Sequence, residues 1–254
     1  MDATVTAMTA ATAAAAVAIP TAAPVAPVPT QTASAADIAQ AAAIGIKLHG
    51  VVLSGHTHRV ELMLRMLDLP FRTVDAPATV RDTDAFRRLN PLGQIPVLEQ
   101  GALALADSNA ILVYLVRRYA PDSHWLPDDP LAAAQVQRWL SIAAGEVNYG
   151  PGYARLIGLG FIEGDAAPAH RAAARLLPFM DAHLRQHAWL ATGRPTIGDI
   201  ACYSYVAHAP EGGIELAPYP AVVAWLKRVE ALPRFRGMPA AQTPTPTQAE
   251  RESA

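Results

Sequence analysis

Cysteine is almost missing from this chain: among 254 residues there is one, Cys202. No intrachain disulfide framework can form, and a reducing compartment such as the cytoplasm is the expected setting. An excess of either charge is missing too. Lys and Arg number 20 against 22 Asp and Glu, a formal net charge of −2. That balance gives no electrostatic ground for a nucleic-acid partner or an anionic membrane surface. No basic residue occurs before Lys47. A secretory leader needs a positively charged start and a mitochondrial presequence needs arginines, so neither is expected over residues 1–45. Long apolar runs are also absent: Ala10–Ile19 is too short to cross a bilayer and runs into prolines.

What residues 1–45 do contain is mostly Ala, Thr, Pro and Val, with Pro20, Pro24, Pro27 and Pro29 breaking any helix. A disordered extension is expected there, and a disordered tail over 239–254 on the same compositional grounds. From Ile46 the pattern changes. Residues 46–52 alternate as a strand and 57–69 carry apolar residues at helical spacing. Residues 71–76 read as a strand, and 82–90 as a short helix ending at Asn90-Pro91. Pro96–Glu99 and Leu103–Ala106 read as a hairpin about Gln100-Gly101, followed by a helix over 108–120. The order is β-α-β-α-β-β-α over 46–120. After a proline-punctuated linker at 121–130, only helices are expected over 131–238. The first is interrupted near Gly150-Pro151, the second carries Pro178, and the apolar segment 196–209 is expected to be central and buried. A small α/β domain followed by an all-α domain results.

Three short segments carry polar groups where strands meet helices. In "VVLSGHTHRVEL" Ser54 follows a strand and opens a helix, where free amides and the helix dipole would stabilise a bound thiolate. It equally suits an ordinary N-cap. In "NPLGQIPVLEQG" Pro96 begins a strand, so Ile95-Pro96 is either a cis peptide presenting the Ile95 amide and carbonyl to an extended ligand or an ordinary edge-strand proline. In "LADSNAIL" Asp107 and Ser108 stand at a helix start, able to cap it or to hold the carboxylate and ammonium of an α-amino acid head group. His58 and Arg59 read as first-turn surface. His49, His56 and His58 are poor metal candidates, because no cysteine or acidic cluster accompanies them, and no metal is expected. Thr196 and Asp199 stand at capping-box spacing, a structural role. Cys202 reads as an inert core thiol.

Taken together, "LSGHTHRV", "NPLGQIPVLE", "ADSNAI" and "RPTIGDIACYSYV" resemble the cytosolic glutathione S-transferase family over roughly Ile46 to Pro239, in its bacterial, serine-type, phi- or theta-like form. The resemblance implies a thioredoxin-like N-terminal domain, an all-α C-terminal domain, a cytoplasmic homodimer, and glutathione as co-substrate attacking an apolar electrophile. It implies Ser54 as the thiolate-stabilising hydroxyl. Gln94, Ile95 and Pro96 would lie along the glutathione backbone, with Asp107 and Ser108 at its γ-glutamyl end. Arg81 would hold the glycyl carboxylate, although Asp82 beside it has the wrong sign. His56 and Thr57 would stand behind the reacting atoms or on the electrophile side, and Tyr149 and Tyr153 would line the cleft or serve packing. Two other activities fit the same pattern: glutathione-dependent reduction of disulfides or peroxides, and non-catalytic binding of ligands or proteins.

Overall fold

The computed structural model describes residues 31–241. The expected disorder of residues 1–30 and 242–254 concerns segments outside the described residues. Within 31–45 the expectation fails. Ala35–Ile44 forms helix α1, started by the Ser34 hydroxyl accepting from the Asp37 amide and closed at Gly45. Tertiary contacts supply what the Ala-rich sequence did not advertise: Ala41 is fully buried, and Arg118 donates to Asp37 and Gln40.

The sheet and its helices follow in the expected order. Strand β1 (Ile46–Gly50) leads to α2 (Gly55–Met66), β2 (Phe71–Asp75), the short turns α3 (Ala78–Arg81) and α4 (Asp84–Leu89), the hairpin β3 (Val97–Gln100) and β4 (Leu103–Ala106), and α5 (Ser108–Tyr119). The strands lie in the order β2-β1-β3-β4, with β1 parallel to β2 and the other neighbours antiparallel. Central β1 is buried along nearly its whole length, as a strand covered on both faces must be. Helices α2 and α5 pack together against the main core, while Phe86 of α4 joins Ala76 and Val97 in a small second cluster. This is a thioredoxin-like domain with a mixed four-stranded sheet.

The rest is helical: α6 (Pro130–Ile142), α7 (Tyr153–Gly158), α8 (Ala167–Leu184), α9 (Ile197–Ala207), a 3-10 turn over Ala209–Gly212, and α10 (Pro220–Glu230). Between α6 and α7, Ala143–Gly152 continues as a π-helix, so the interruption expected at Gly150-Pro151 is a widening of the helix. π-helical segments are rare and concentrate at functional sites. Pro178 lies inside α8. Helix α9 is buried from Ile197 to Val206 and packs against both α2 and α6. One continuous apolar core therefore runs from Ile46 through α2 and α9 to Leu232.

Candidate active site

Strand register brings the scattered segments together. His49 of β1 pairs with Val97 of β3, and Val97 pairs with Ala106 of β4. Beyond this last rung lie the turn to Ser54, the residues entering β3 at Pro96, and the exit from β4 at Asp107. Val74 of β2 pairs with His49 at the same level, so α3 and its Arg81 leave from that end too. Four connections and the N-termini of α2, α3 and α5 thus share one end of the sheet.

Ser54 caps α2, its Oγ accepting from the Thr57 amide at 3.2 Å. It is half-buried, and its own hydroxyl hydrogen has no partner among the described residues. Cap and donor are therefore compatible in one hydroxyl: the oxygen lone pair serves the helix and the hydrogen stays available. Gly55 follows because a Cβ there would stand 2.7 Å from the Tyr205 ring of α9. Thr57 is buried beneath, with Oγ1 lacking a partner and its side chain filling the space beside Gly50.

The Ile95-Pro96 peptide is cis. Gln94 is exposed and its carbonyl accepts from Asn90 Nδ2 at 2.8 Å; Ile95 is half-buried and Pro96 buried. Asp107 is exposed, in the left-handed region at φ 71°, and caps α5 by accepting from the Ala110 amide at 2.9 Å. Arg81 is half-buried, with Nε enclosed and unpartnered.

His58 and Arg59 are not surface residues, as the sequence suggested, but buried. The helical domain covers the face of α2 that would otherwise meet solvent. His58 bonds Ser204 Oγ of α9 and the Arg236 carbonyl, both at 2.8 Å. Arg59 is fully buried and makes no ion pair among the described residues. Its Nη1 donates to Ser108 Oγ at 3.2 Å and Asn109 Oδ1 at 2.9 Å, while Nε and Nη2 have no partner. A buried cation without a counter-charge is costly. This one lies beside the N-terminus of α5, whose Ser108 and Asn109 amides begin the helix. The Arg59 guanidinium also lies 5.9 Å from the centroid of the Tyr205 ring of α9.

His56 links the two domains. Its Nε2 faces Asn148 Oδ1 of the π-helix at 3.1 Å and its Nδ1 faces Ser108 Oγ at 3.3 Å. Burial, with the Arg59 charge adding to it, lowers its pKa to about 3. The ring is therefore neutral at pH 7. Because Asn148 Oδ1 can only accept, Nε2 carries the hydrogen and Nδ1 accepts from Ser108. Tyr149 and Tyr153 lie on the same face of the junction, both well exposed, with ring centroids 5.3 Å apart. His49 turns instead to Glu99, so the three histidines diverge. Among the described residues no group of three or more His, Cys, Asp or Glu could hold a metal ion. Burial raises the pKa of Cys202, which keeps it protonated. An open groove of about 750 Å³ lies elsewhere, between Arg65, Phe71, Arg72 and Arg234–Arg236, and includes none of these residues.

Sequence reasoning missed Asn148 and Arg155. Arg155 of α7 is fully buried and donates from Nη1 to the Leu53 carbonyl at 2.7 Å and from Nε to Glu211 Oε2 at 2.5 Å. Neither residue belongs to a motif. The one hint was a charged residue inside an otherwise apolar helical stretch.

A thioredoxin-like domain with polar groups at its strand ends is followed by a helical domain packed against α2. Comparison with known proteins agrees. Residues 48–123 match the model of the glutathione S-transferase N-terminal domain and 162–233 that of the C-terminal domain. The chain is 31% identical over 205 residues to glutathione S-transferase 3 of Zea mays, covering 75% of this chain and 91% of that protein. It is 27% identical over 201 residues to glutathione S-transferase theta-3 of Mus musculus, covering 74% of this chain and 83% of that one. The glutathione-bound structure of a theta-class glutathione S-transferase from Xanthomonas axonopodis pv. citri aligns with TM-score 0.68 and 30% identity, over 78% of this chain and 98% of that one. The chain belongs to the glutathione S-transferase family.

Proposed function

We propose that the strand-end site binds glutathione and activates its thiol for attack on an apolar electrophile. The observation that carries this reading is the shared rung His49–Val97–Ala106, which puts Ser54, Gln94–Pro96 and Asp107–Ser108 beyond the same end of the strands. A peptide laid across that end would pair with the backbone at Ile95. Its amino-acid head group would sit at the start of α5, the carboxylate on the free amides beside Arg59 and the ammonium on Asp107. Arg81 would take the glycyl carboxylate at the other end. Its sulfur would then face Ser54.

The chemistry asked of Ser54 is modest. Holding a thiol as thiolate two pKa units below its free value takes ~2.7 kcal/mol. A charge-assisted hydrogen bond supplies ~1.5–3 kcal/mol, and the N-terminus of α2 adds ~0.3–1 kcal/mol. The proton leaves to solvent. The thiolate sulfur bonds to the electrophilic carbon while the leaving group departs with its electron pair, or adds to a polarised double bond. No bond to the enzyme forms. Tyr149 and Tyr153 offer an exposed aromatic face for an apolar electrophile. A homodimer in the cytoplasm is the expected assembly and setting. No described helix is long and apolar enough to cross a membrane.

Purified protein assayed with glutathione against an aryl halide and against a mixed disulfide tests the reading. Conjugation of the halide is expected. Turnover of the disulfide alone would make it a reductase. Retention on immobilised glutathione without turnover of either would make it a binding protein.

A further inference from the structure

Between the end of β1 and Ser54 the chain runs through Val51–Leu53, which belong to no strand or helix. A donor hydroxyl carried on such a turn needs something to hold the turn still. The peptide group joining Leu53 to Ser54 is planar, so its carbonyl and its amide move as one body. The amide, that of Ser54, donates to the Val51 carbonyl at 3.0 Å. The carbonyl, that of Leu53, accepts from Arg155 Nη1 at 2.7 Å, across the domain junction. Both ends of the plane are thus pinned, one by the first domain and one by the second.

Arg155 is itself held. Glu211 takes its Nε, and Gly212 packs so closely that a Cβ there would stand 2.5 Å from the Arg155 amide. A buried ion pair is by itself weak evidence of a stabilising role, since apolar side chains of similar volume often serve as well or better. What apolar side chains cannot do is reach the Leu53 carbonyl with a hydrogen bond.

We propose that Arg155 is a positioning residue for the thiolate donor: from the helical domain it fixes the Leu53–Ser54 peptide plane and so the direction of the Ser54 hydroxyl. This rests on the reading of Ser54 given above. Hydrogen-bond strength falls steeply with angle, so a turn free to rock would donate poorly to sulfur while still admitting glutathione. The helical domain, on this account, contributes to the sulfur chemistry as well as to the electrophile's side of the cleft.

The test uses the full chain with the double substitution Arg155→Met and Glu211→Leu, which replaces the ion pair by apolar groups. Arg155→Lys is the second variant. It keeps the charge opposite Glu211 but cannot serve both partners with two nitrogens. The thiol pKa of bound glutathione is read from thiolate ultraviolet absorbance across a pH titration, alongside kcat, KM for glutathione and the melting temperature. The expected result is a bound-thiol pKa about one unit higher and a kcat at pH 6.5 about 10-fold lower, with KM within about 2-fold of the parent. A folded variant with the parent's thiol pKa and kcat would overturn the proposal. So would a rise in KM with kcat untouched, which would make Arg155 part of binding. A parent protein that neither binds nor turns over glutathione would overturn the reading of Ser54, and this proposal with it. Turnover by the parent with both variants unchanged would sink this proposal alone.

Discussion

Three helix starts in this protein use similar residue chemistry and end differently. At α9, Thr196 and Asp199 form a capping box in which every oxygen is spent: Asp199 accepts from the Thr196 and Leu190 amides and from Trp225 Nε1, and Thr196 Oγ1 accepts from the Gly198 amide. Both side chains are fully buried. At α2, Ser54 accepts one amide, keeps its hydrogen, and stays half-exposed. At α5, Asp107 accepts one amide and is exposed. A polar residue at a helix start is a structural cap when the fold uses up its hydrogen-bonding capacity, and is free to meet a ligand when exposed capacity is left over.

That contrast breaks most visibly at Asp199. Asp199→Ala would strand two buried amides and the Trp225 indole, each costing about 1–3 kcal/mol. Urea unfolding should show a loss of roughly 3–5 kcal/mol, with the surviving folded fraction retaining its glutathione affinity. A loss below about 1 kcal/mol would mean the box is not the structural cap its geometry describes. Ser54→Ala should do the reverse. Loss of the cap costs about 1 kcal/mol, while kcat toward an aryl halide should fall ~10²-fold with glutathione affinity mostly kept. Undiminished turnover would reduce Ser54 to the status of Thr196.

Acid should act on α2 through two buried histidines. Burial depresses the pKa of His56, with Arg59 adding to it, and that of His58. The charged and titratable groups facing His56 are Arg59 on its own helix and Asp107 at α5, with the Tyr205 ring against it from α9. Unfolded, each imidazole takes up a proton near pH 6.5, and in the fold only at lower pH. Their contribution is therefore intact above pH 6.5 and lost as pH falls toward the folded value, about 3 for His56. Urea unfolding at pH 7.5 and 5.5 should differ by about 1 kcal/mol on account of His56, with His58 adding in the same direction. His56→Asn should shrink that difference; an unchanged difference would show that His56 takes up its proton without cost to the fold.

Local chemistry in the sequence carried the strand-helix alternation, the three caps and the proline at the start of β3, because each depends on residues within a few positions. Contacts from far along the chain were not legible. His58 and Arg59 look like an exposed first turn until α9, nearly 150 residues later, covers them. Asn148 reaches His56 from within a π-helix, a phase that a search for 3.6-residue periodicity does not follow. Helix α1 was hidden because an Ala-rich segment has little polar face to reveal its period, and its partners on α5 are about 80 residues away.

The smallest expected effect sharpens the comparison furthest. Asp107 both caps α5 and, in the proposed complex, pairs with the glutathione ammonium, so removing the side chain confounds the two roles. Asp107→Asn separates them. Asparagine has the same shape as the aspartate already held at φ 71°, and its carbonyl oxygen can still accept from the Ala110 amide. The melting temperature should therefore stay within a degree or two of the parent. The lost charge should still weaken glutathione binding, by about 5- to 10-fold in calorimetry at low salt. Asp107→Ala should lose both the affinity and about 1 kcal/mol of stability. If the Asn variant binds glutathione as tightly as the parent, the carboxylate is only a cap. Asp107 would then stand with Asp199, its exposed charge notwithstanding, and the head-group site would rest on the α5 amides and the buried Arg59.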